Sequence, residues 1–335
     1  MITLRDVAAH AGVSVATASN ALSGTRAVSP ASVKAVMQAA ADLGYRRNET
    51  ARSLRTGLRN SLGLVVPDVT DPFWGAIVRV VEARASELGW SVSLCNTDYD
   101  ADREGAYLAR LVNSVDGILL LSASPDPEAL APIVALGVPV VACDERVALD
   151  GIGGVYSENR GGGRLVAEHL VAQGGTRFVA VGGPPRLVTA RERVDGFVDG
   201  LIEYGVDPAA ISRISAEYSF DGGRDAARRI LADLPDADAV FACTDNQAMG
   251  VLFAMEDAGR HVPDDVMLSG FDGISWSARV RPSLTTVQQD SVGMADRAFD
   301  MLAGMIAGDS EPSVVTLPVA LIPRKSTRRS AAGRG

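Results

Sequence analysis

The sequence is poor in the residues that build reactive or cross-linked sites. It has three cysteines, Cys95, Cys143 and Cys243, far apart and each ending an apolar strand-like run. An odd, dispersed set does not make a disulfide framework, so reduced core thiols in the cytoplasm are expected. Its three histidines, His10, His169 and His261, group neither with one another nor with the cysteines, so no metal centre is expected. No apolar run approaches the ~18 residues of a membrane span. No apolar stretch follows Met1, so no secretory signal and no membrane partner are expected. There is no G-x-S-x-G, no phosphate loop and no histidine paired with a nucleophile, hence no signature of an α/β enzyme or of a cofactor.

Basic residues are also outnumbered, 32 against 41 acidic, for a net charge of −9. Their distribution is uneven. Residues 1–60 hold 8 basic and 3 acidic residues, residues 61–323 hold 19 and 38, and the tail from Arg324 holds 5 basic residues and no acid. A basic head on an acidic body is the footprint of nucleic-acid contact confined to one end.

The head carries the most specific pattern. Leu4, Val7, Ala8 and Ala11 stand at i, i+3, i+4 and i+7 and give a first helix one apolar face. Thr3 and Asp6 form its capping box. Gly12 turns the chain, and Ser14 caps a second helix that buries Ala18 and Leu22. Val15, Ala16, Thr17, Ser19 and Asn20 are left available, small or hydrogen-bonding groups suited to a major groove. Ser29-Pro30 opens a third helix, with Val33, Val36, Met37, Ala40 and Leu43 inward and Gly44 at its end. A helical corner of an ordinary α-domain would share the turn, but not the third helix and the local positive charge.

From Leu62 the pattern changes to short apolar runs alternating with helices. Strands are expected near 62–66, 90–95, 117–122, 138–143, 177–182, 238–243 and 266–271, and a helix from Phe73 to Leu88. This is the pattern of parallel sheets covered on both faces, and its length fits two lobes with a cleft between them. In such sheets ligands sit at the carboxyl ends of the strands. Asn159, Arg191, Arg193, Asp245 and Asp272 fall there, with Asp245 also reading as a helix N-cap. Phe73, Trp74 and Tyr218 are placed to cover the apolar face of a ring. Carboxylates beside a guanidinium can hold vicinal hydroxyls. The glycines of 151–154 and 161–163 lack the spacing of a dinucleotide loop and read as turns and a helix start. The segment 48–57 reads as a linker or a helix of one to two turns, with Leu54 either stapling it to the body or serving a partner.

Leu4 to Leu22, Val28-Ser29, Leu43-Gly44-Tyr45, then Asn48, Ala51, Arg52 and Leu54, resemble the lactose-repressor (LacI/GalR) family of bacterial transcription regulators, and the resemblance covers nearly the whole chain. It implies an all-α helix-turn-helix head at 1–47, a hinge at 48–60, and a two-lobed α/β body at 61–323 like that of periplasmic sugar-binding proteins, with a basic flexible tail at 324–335. Lobe 1 would comprise about 61–159 and 290–317, lobe 2 about 160–289 and 318–323. The resemblance implies double-stranded DNA, a palindromic operator, as partner of a homodimer. Thr3, Leu4, Val15, Ala16, Thr17, Ser19, Asn20, Asn48, Ala51, Arg52 and Leu54 would be its DNA contacts. The hinge would fold on the operator and Leu54 would wedge into the minor groove. A small sugar or sugar-like effector would meet Phe73, Trp74, Asn159, Arg193, Tyr218, Thr244 and Asp272. The chain departs from the family pattern at Ala18, Ser23, Thr244 and Gly273, and the last two leave the effector's identity open. The other functions weighed are an α/β enzyme and a free sugar-binding protein of transport, which the basic head disfavours.

Overall fold

A computed structural model describes residues 2–23, 26–45, 58–121 and 126–328. The chain divides into two compact units, Met1–Arg59 and Asn60–Gly335.

The first unit is built from α1 (Leu4–His10), α2 (Val15–Ser23) and α3 (Pro30–Asp42). The α1 capping box is complete: Thr3 accepts from the Asp6 amide, and the Asp6 carboxylate accepts from the Thr3 amide at 2.8 Å. These bonds hold the Asp6 carboxyl below its usual pKa. Ser14 accepts from the Thr17 amide at 3.1 Å, and Ser29 caps α3 ahead of Pro30. Val7, Ala8, Ala18, Val36 and Ala39 form the core, with Leu4, Ala11, Leu22, Leu43 and Tyr45 against it. Met37, expected inward, is instead 55% exposed, and Ala39 is buried. One residue advances a helix by about 100°. A stripe through Val36, Ala39, Ala40 and Leu43 therefore leaves Met37 off its edge.

The second unit holds two six-stranded sheets. The first uses β1 (Ser61–Val66), β2 (Ser91–Asn96), β3 (Gly117–Leu120), β4 (Val140–Cys143), β5 (Gly153–Ser157) and β11 (Val314–Leu317), in the order β11-β5-β4-β3-β1-β2. All its pairings are parallel. The second uses β6 (Phe178–Gly182), β7 (Ile211–Ser215), β8 (Ala239–Ala242), β9 (Met267–Asp272), β10 (Thr285–Gln288) and β12 (Ala320–Ile322), in the order β12-β10-β9-β8-β6-β7. Here β12 alone runs antiparallel, against β10. The inner strands β3, β4, β8 and β9 are buried along their whole length, as parallel strands with helices on both faces must be.

Helices α4 (Pro72–Glu87) and α11 (Ser291–Ala307) pack on one face of the first sheet, and α5 (Ala101–Leu111) and α6 (Pro127–Ala135) on the other. Helices α7 (Asn159–Ala172) and α8 (Val188–Glu203) cover one face of the second sheet; α9 (Phe220–Asp233) and α10 (Asp245–Asp257) cover the other. The chain passes from one lobe to the other three times, between β5 and α7, between β10 and α11, and between β11 and β12.

Residues 324–328 are not a flexible tail. Ser326 and Thr327 are fully buried. Ser326 accepts from the Thr285 amide at 2.8 Å and donates to the Leu268 carbonyl at 2.6 Å, while Thr327 bonds Thr285 and His169 at 2.8 Å each. The basic composition misled because the hook's anchors are its two hydroxyl residues. Residues 329–335 lie outside the described residues.

The glycines at 162 and 163 serve packing. Gly162 faces the Phe271 and Val287 side chains of the sheet, and Gly163 lets α7 lie against α8 so closely that a Cβ there would overlap the Arg193 carbonyl oxygen and the Phe197 amide nitrogen. Backbone atoms cannot step aside as a flexible side chain can. Gly163→Ala should therefore lower stability by roughly 1–3 kcal/mol. Gly105→Ala, in α5 with nothing within 4 Å of the added Cβ, should raise it by about 0.5–1 kcal/mol. Thermal unfolding of the two variants beside wild type checks both signs.

Candidate functional site

Two surfaces carry the residues singled out from the sequence. On the first unit, Val15 and Ala16 stand exposed at the start of α2, with Thr3 exposed beside its own cap. Thr17 is half-buried and shares a 2.8 Å hydrogen bond with the Ser14 hydroxyl. Ser19 and Asn20 are half-buried further along α2. Leu4 packs against the head core, which limits what it can offer a partner. Asn48, Ala51, Arg52 and Leu54 lie outside the described residues.

The second surface is the cleft between the sheets, where a small pocket opens. Phe73, Trp74, Arg193, Tyr218, Thr244 and Asp272 all line it. Asp71 and Pro72 start α4 and so aim Phe73 and Trp74, which meet edge to face at 4.9 Å between centroids, at the cleft. Arg193 sits in the second turn of α8 and is 2% exposed. Its Nε donates to Asn159 Oδ1 at 2.8 Å, and its Nη1 donates to the Cys243 carbonyl at 2.8 Å and to Asp272 Oδ1 at 3.1 Å. Its guanidinium lies 4.0 Å from the centre of the Phe271 ring. Asn159 thus stands one step behind the pocket and fixes the arginine fork. Thr244 caps α10 by accepting from the Gln247 amide at 3.1 Å. Asp245, read as that cap, instead accepts from the Ile274 amide at 2.9 Å and the Ser277 hydroxyl at 2.5 Å, pinning the loop after β9. Arg191 turns away to the carbonyls of Pro185 and Arg186.

Sequence reasoning missed Asp71, Tyr99, Asp144, Glu145, Leu187 and Thr189 in the pocket wall, and Gln289, which donates to Asp272 Oδ1 at 3.0 Å. Asp144 and Glu145 follow β4 directly. The rule that selected Asp272 at the end of β9 would have found them. Asp144 Oδ1 is buried, lies 3.7 Å from Arg193 Nη2, and has no hydrogen-bond partner among the described residues. It is an acceptor with unused capacity, the position a ligand hydroxyl fills. Both Asp144 and Asp272 hold left-handed backbone, with φ of 73° and 107°. Such conformations persist only where the surroundings over-determine them.

The pocket is acidic. Burial pushes the Asp71 carboxyl up to about 6 and Glu145 to about 7. Burial also raises Asp144 and Asp272, with Arg193 opposing it in both. For Arg193 itself burial works against the charge, but Asp272, Tyr218 and Asp144 together raise its pKa. One fixed guanidinium, several acceptor carboxylates and two aromatic faces can hold a polyhydroxylated ring through its hydroxyls and its apolar face. Among the described residues no cluster could hold a metal ion.

Residues 3–48 match the family model of bacterial regulatory proteins of the lacI family, and residues 167–327 match that of periplasmic binding protein-like domains. The chain is 38% identical over 291 residues to the ribose operon repressor of Halalkalibacterium halodurans, covering 86% of each chain. Among solved structures it is similar to the lac repressor dimer bound to operator and the anti-inducer ONPF (TM-score 0.84, 27% identity, 97% of this chain and 99% of that one). It is also similar to the complex of the transcriptional regulator CelR with cellobiose (TM-score 0.72, 30% identity, 97% of this chain and 100% of that one). A head of three capped helices, two mostly parallel sheets joined by three crossings, and relatives matched across both place the protein: it belongs to the LacI family of bacterial regulatory proteins.

Proposed function

We propose that this protein is a sequence-specific transcriptional repressor whose hold on DNA is set by a small, polyhydroxylated sugar bound between its two lobes. The observation that carries this is the pairing, in one chain, of an exposed reading helix with a pocket that gathers Arg193, Asp272, Phe73 and Trp74. Residues 1–47 read the operator, 48–60 join head to body, and 61–323 bind the effector and dimerise. The protein acts in the cytoplasm. Its cleft groups serve recognition: Arg193 is fixed through Nε and Nη1 by Asn159, Cys243 and Asp272, and its Nη2 faces Asp144. Relatives named for ribose and a neighbour with bound cellobiose support a sugar as effector. The effector works by linkage: it changes operator affinity by the difference in its affinity for the two lobe arrangements.

Fragment selection followed by footprinting tests the DNA reading. Sites of two-fold symmetry are expected, with affinity falling steeply in salt as phosphate contacts release counterions. Val15, Ala16 and Asn20 set base choice. Asn20→Ala should cost roughly 1–3 kcal/mol at the matched site and little on random DNA. Equal losses on both would remove Asn20 from base reading.

Leu54 is assigned the minor-groove wedge. Leu54→Ala should leave the melting temperature within about 0.5 kcal/mol of wild type in stability, while weakening operator binding and reducing the bend measured by gel mobility. A destabilised variant that still bends its operator would assign Leu54 to a staple instead.

In the cleft, Arg193→Ala leaves Asp272 buried without its cation, and should destabilise the body by roughly 3–5 kcal/mol. Thermal shift against a panel of sugars should show stabilisation of wild type by at least one of them and none of the variant. Stabilisation of the variant by the same sugar would take Arg193 out of the site.

A further inference from the structure

Helix α8 begins at the pocket wall, and its first turn is capped from the opposite lobe. Among the described residues every other α-helix of the body, α4, α5, α6, α7, α9, α10 and α11, is capped by its own N-cap side chain: Asp71, Asp100, Asp126, Glu158, Ser219, Thr244 and Asp290. The N-cap of α8 is Leu187, which makes no such bond. Its amides are met instead by Glu145, which follows β4 in the first lobe. Glu145 Oε1 accepts from the Val188 amide at 2.6 Å, and Oε2 accepts from the Thr189 amide at 3.3 Å and the Thr189 hydroxyl at 2.8 Å. Glu145 is 4% exposed. The neighbouring pair Asp144–Arg193 spans the same gap at 3.7 Å.

We propose that Glu145 is a built-in anion that spans the cleft, ties the lobes together at the start of α8, and so sets the effector class as an uncharged polyhydroxylated ring, excluding its phosphorylated form. This rests on the sugar reading of the cleft and narrows it. A helix N-terminus is the place where a phosphate or carboxylate on a ligand would be received, through free amides and the positive end of the dipole. Here those amides are taken by a side chain that comes with the protein. The other cation in reach, Arg193, is enclosed by Asn159, Cys243 and Asp272, and Asp71, Asp144 and Asp272 add negative potential to the same pocket. A ligand phosphate would have to expel Glu145 and then sit among three carboxylates. A neutral ring has only to offer hydroxyls to them. Because donor and acceptor belong to different lobes, the three bonds exist only when the lobes are close. Glu145 therefore favours that arrangement, and an effector competes or cooperates with it according to the lobe spacing it needs.

The test uses the full-length protein at about pH 8, above the raised pKa of Glu145 so that its carboxylate is charged, and reads hydrogen exchange at the Val188 and Thr189 amides, with inorganic phosphate as probe. Glu145→Ala should exchange there at least about tenfold faster than wild type, as loss of charge-assisted bonds exposes both amides. Millimolar phosphate should restore protection in Glu145→Ala and leave wild type unchanged. Glu145→Gln keeps the shape and gives up the charge, and should fall between the two. Exchange in Glu145→Ala as slow as in wild type would overturn the proposal, as would phosphate that protects neither protein or both alike. A Glu145→Gln variant indistinguishable from wild type would reduce the residue to a neutral prop and would also overturn it. Calorimetry with ribose and ribose 5-phosphate completes the test. Wild type should prefer ribose by at least about tenfold, a gap that repulsion and lost anion contacts readily supply, and Glu145→Ala should narrow it. Preference of wild type for the phosphate ester would overturn the proposal. If wild type binds neither, ribose is not the effector, and the exchange experiment still decides the role of Glu145.

Discussion

The body is organised around one buried guanidinium. A charge as enclosed as Arg193 survives only if its donors are met and its charge is balanced, because desolvation of an unpaired ion is severe. Meeting those donors draws together parts of the chain that are distant in sequence: the start of α7 through Asn159, the end of β8 through Cys243, and the end of β9 through Asp272. The aromatic ring of Phe271 supplies the fourth wall. The carboxyl ends of the central strands of lobe 2 are thus tied to a single planar fork. The unusual backbone at Asp272 is held by the same bonds that make it useful, and Gln289 adds a second donor to the same oxygen.

Lobe 1 contributes a different chemistry. It brings the aromatic pair at the start of α4 and the acids Asp71, Asp144 and Glu145, and it holds no cation of its own in the pocket wall. The pocket wall is therefore divided: lobe 1 supplies three carboxyl groups and the Phe73–Trp74 pair, lobe 2 the rigid guanidinium and its counter-ion. A ligand that satisfies both must bridge them. This is the geometric requirement for coupling ligand binding to lobe position, and hence to whatever the body holds in register.

Much of this was legible in the sequence, and the misses share a physical cause. Periodicity located seven of the twelve described strands, β1 to β4, β6, β8 and β9, to within a residue or two, because most of them are short apolar runs bounded by turn residues; β5, β7, β10, β11 and β12 were not among the expected ranges. Cap chemistry found Thr3, Ser14 and Ser29. The shortfall at Met37 came from treating an apolar residue as an inward one, when a narrow stripe of small alanines already filled the head core. At Asp245, position at a helix start suggested a cap, but Thr244 holds the N-cap position and Asp245 is the first residue inside the helix. The place of Glu145 after β4 was legible, but its capping role was hidden for a deeper reason. Its partners are backbone amides 43 and 44 residues away, and nothing in a linear pattern marks a helix whose cap comes from elsewhere. The hook at 324–328 was hidden likewise, because arginines dominate its composition while a serine and a threonine do its anchoring.

The last strands have a consequence for how the chain is made. Helix α11 supplies Met294, Ala295, Ala298, Phe299 and Leu302 to the core of the first lobe, and β11 closes the edge of its sheet. Strand β12 and the buried Ser326-Thr327 hook complete the second lobe. Neither lobe can be finished before the stretch 291–327 has left the ribosome. The head, by contrast, draws its whole core from residues 4–45. Domains fold as units during synthesis, N-terminal first. The part that reads DNA is therefore competent to fold while the part that governs it is still being translated. A nascent or prematurely ended chain would carry the reading head without its control.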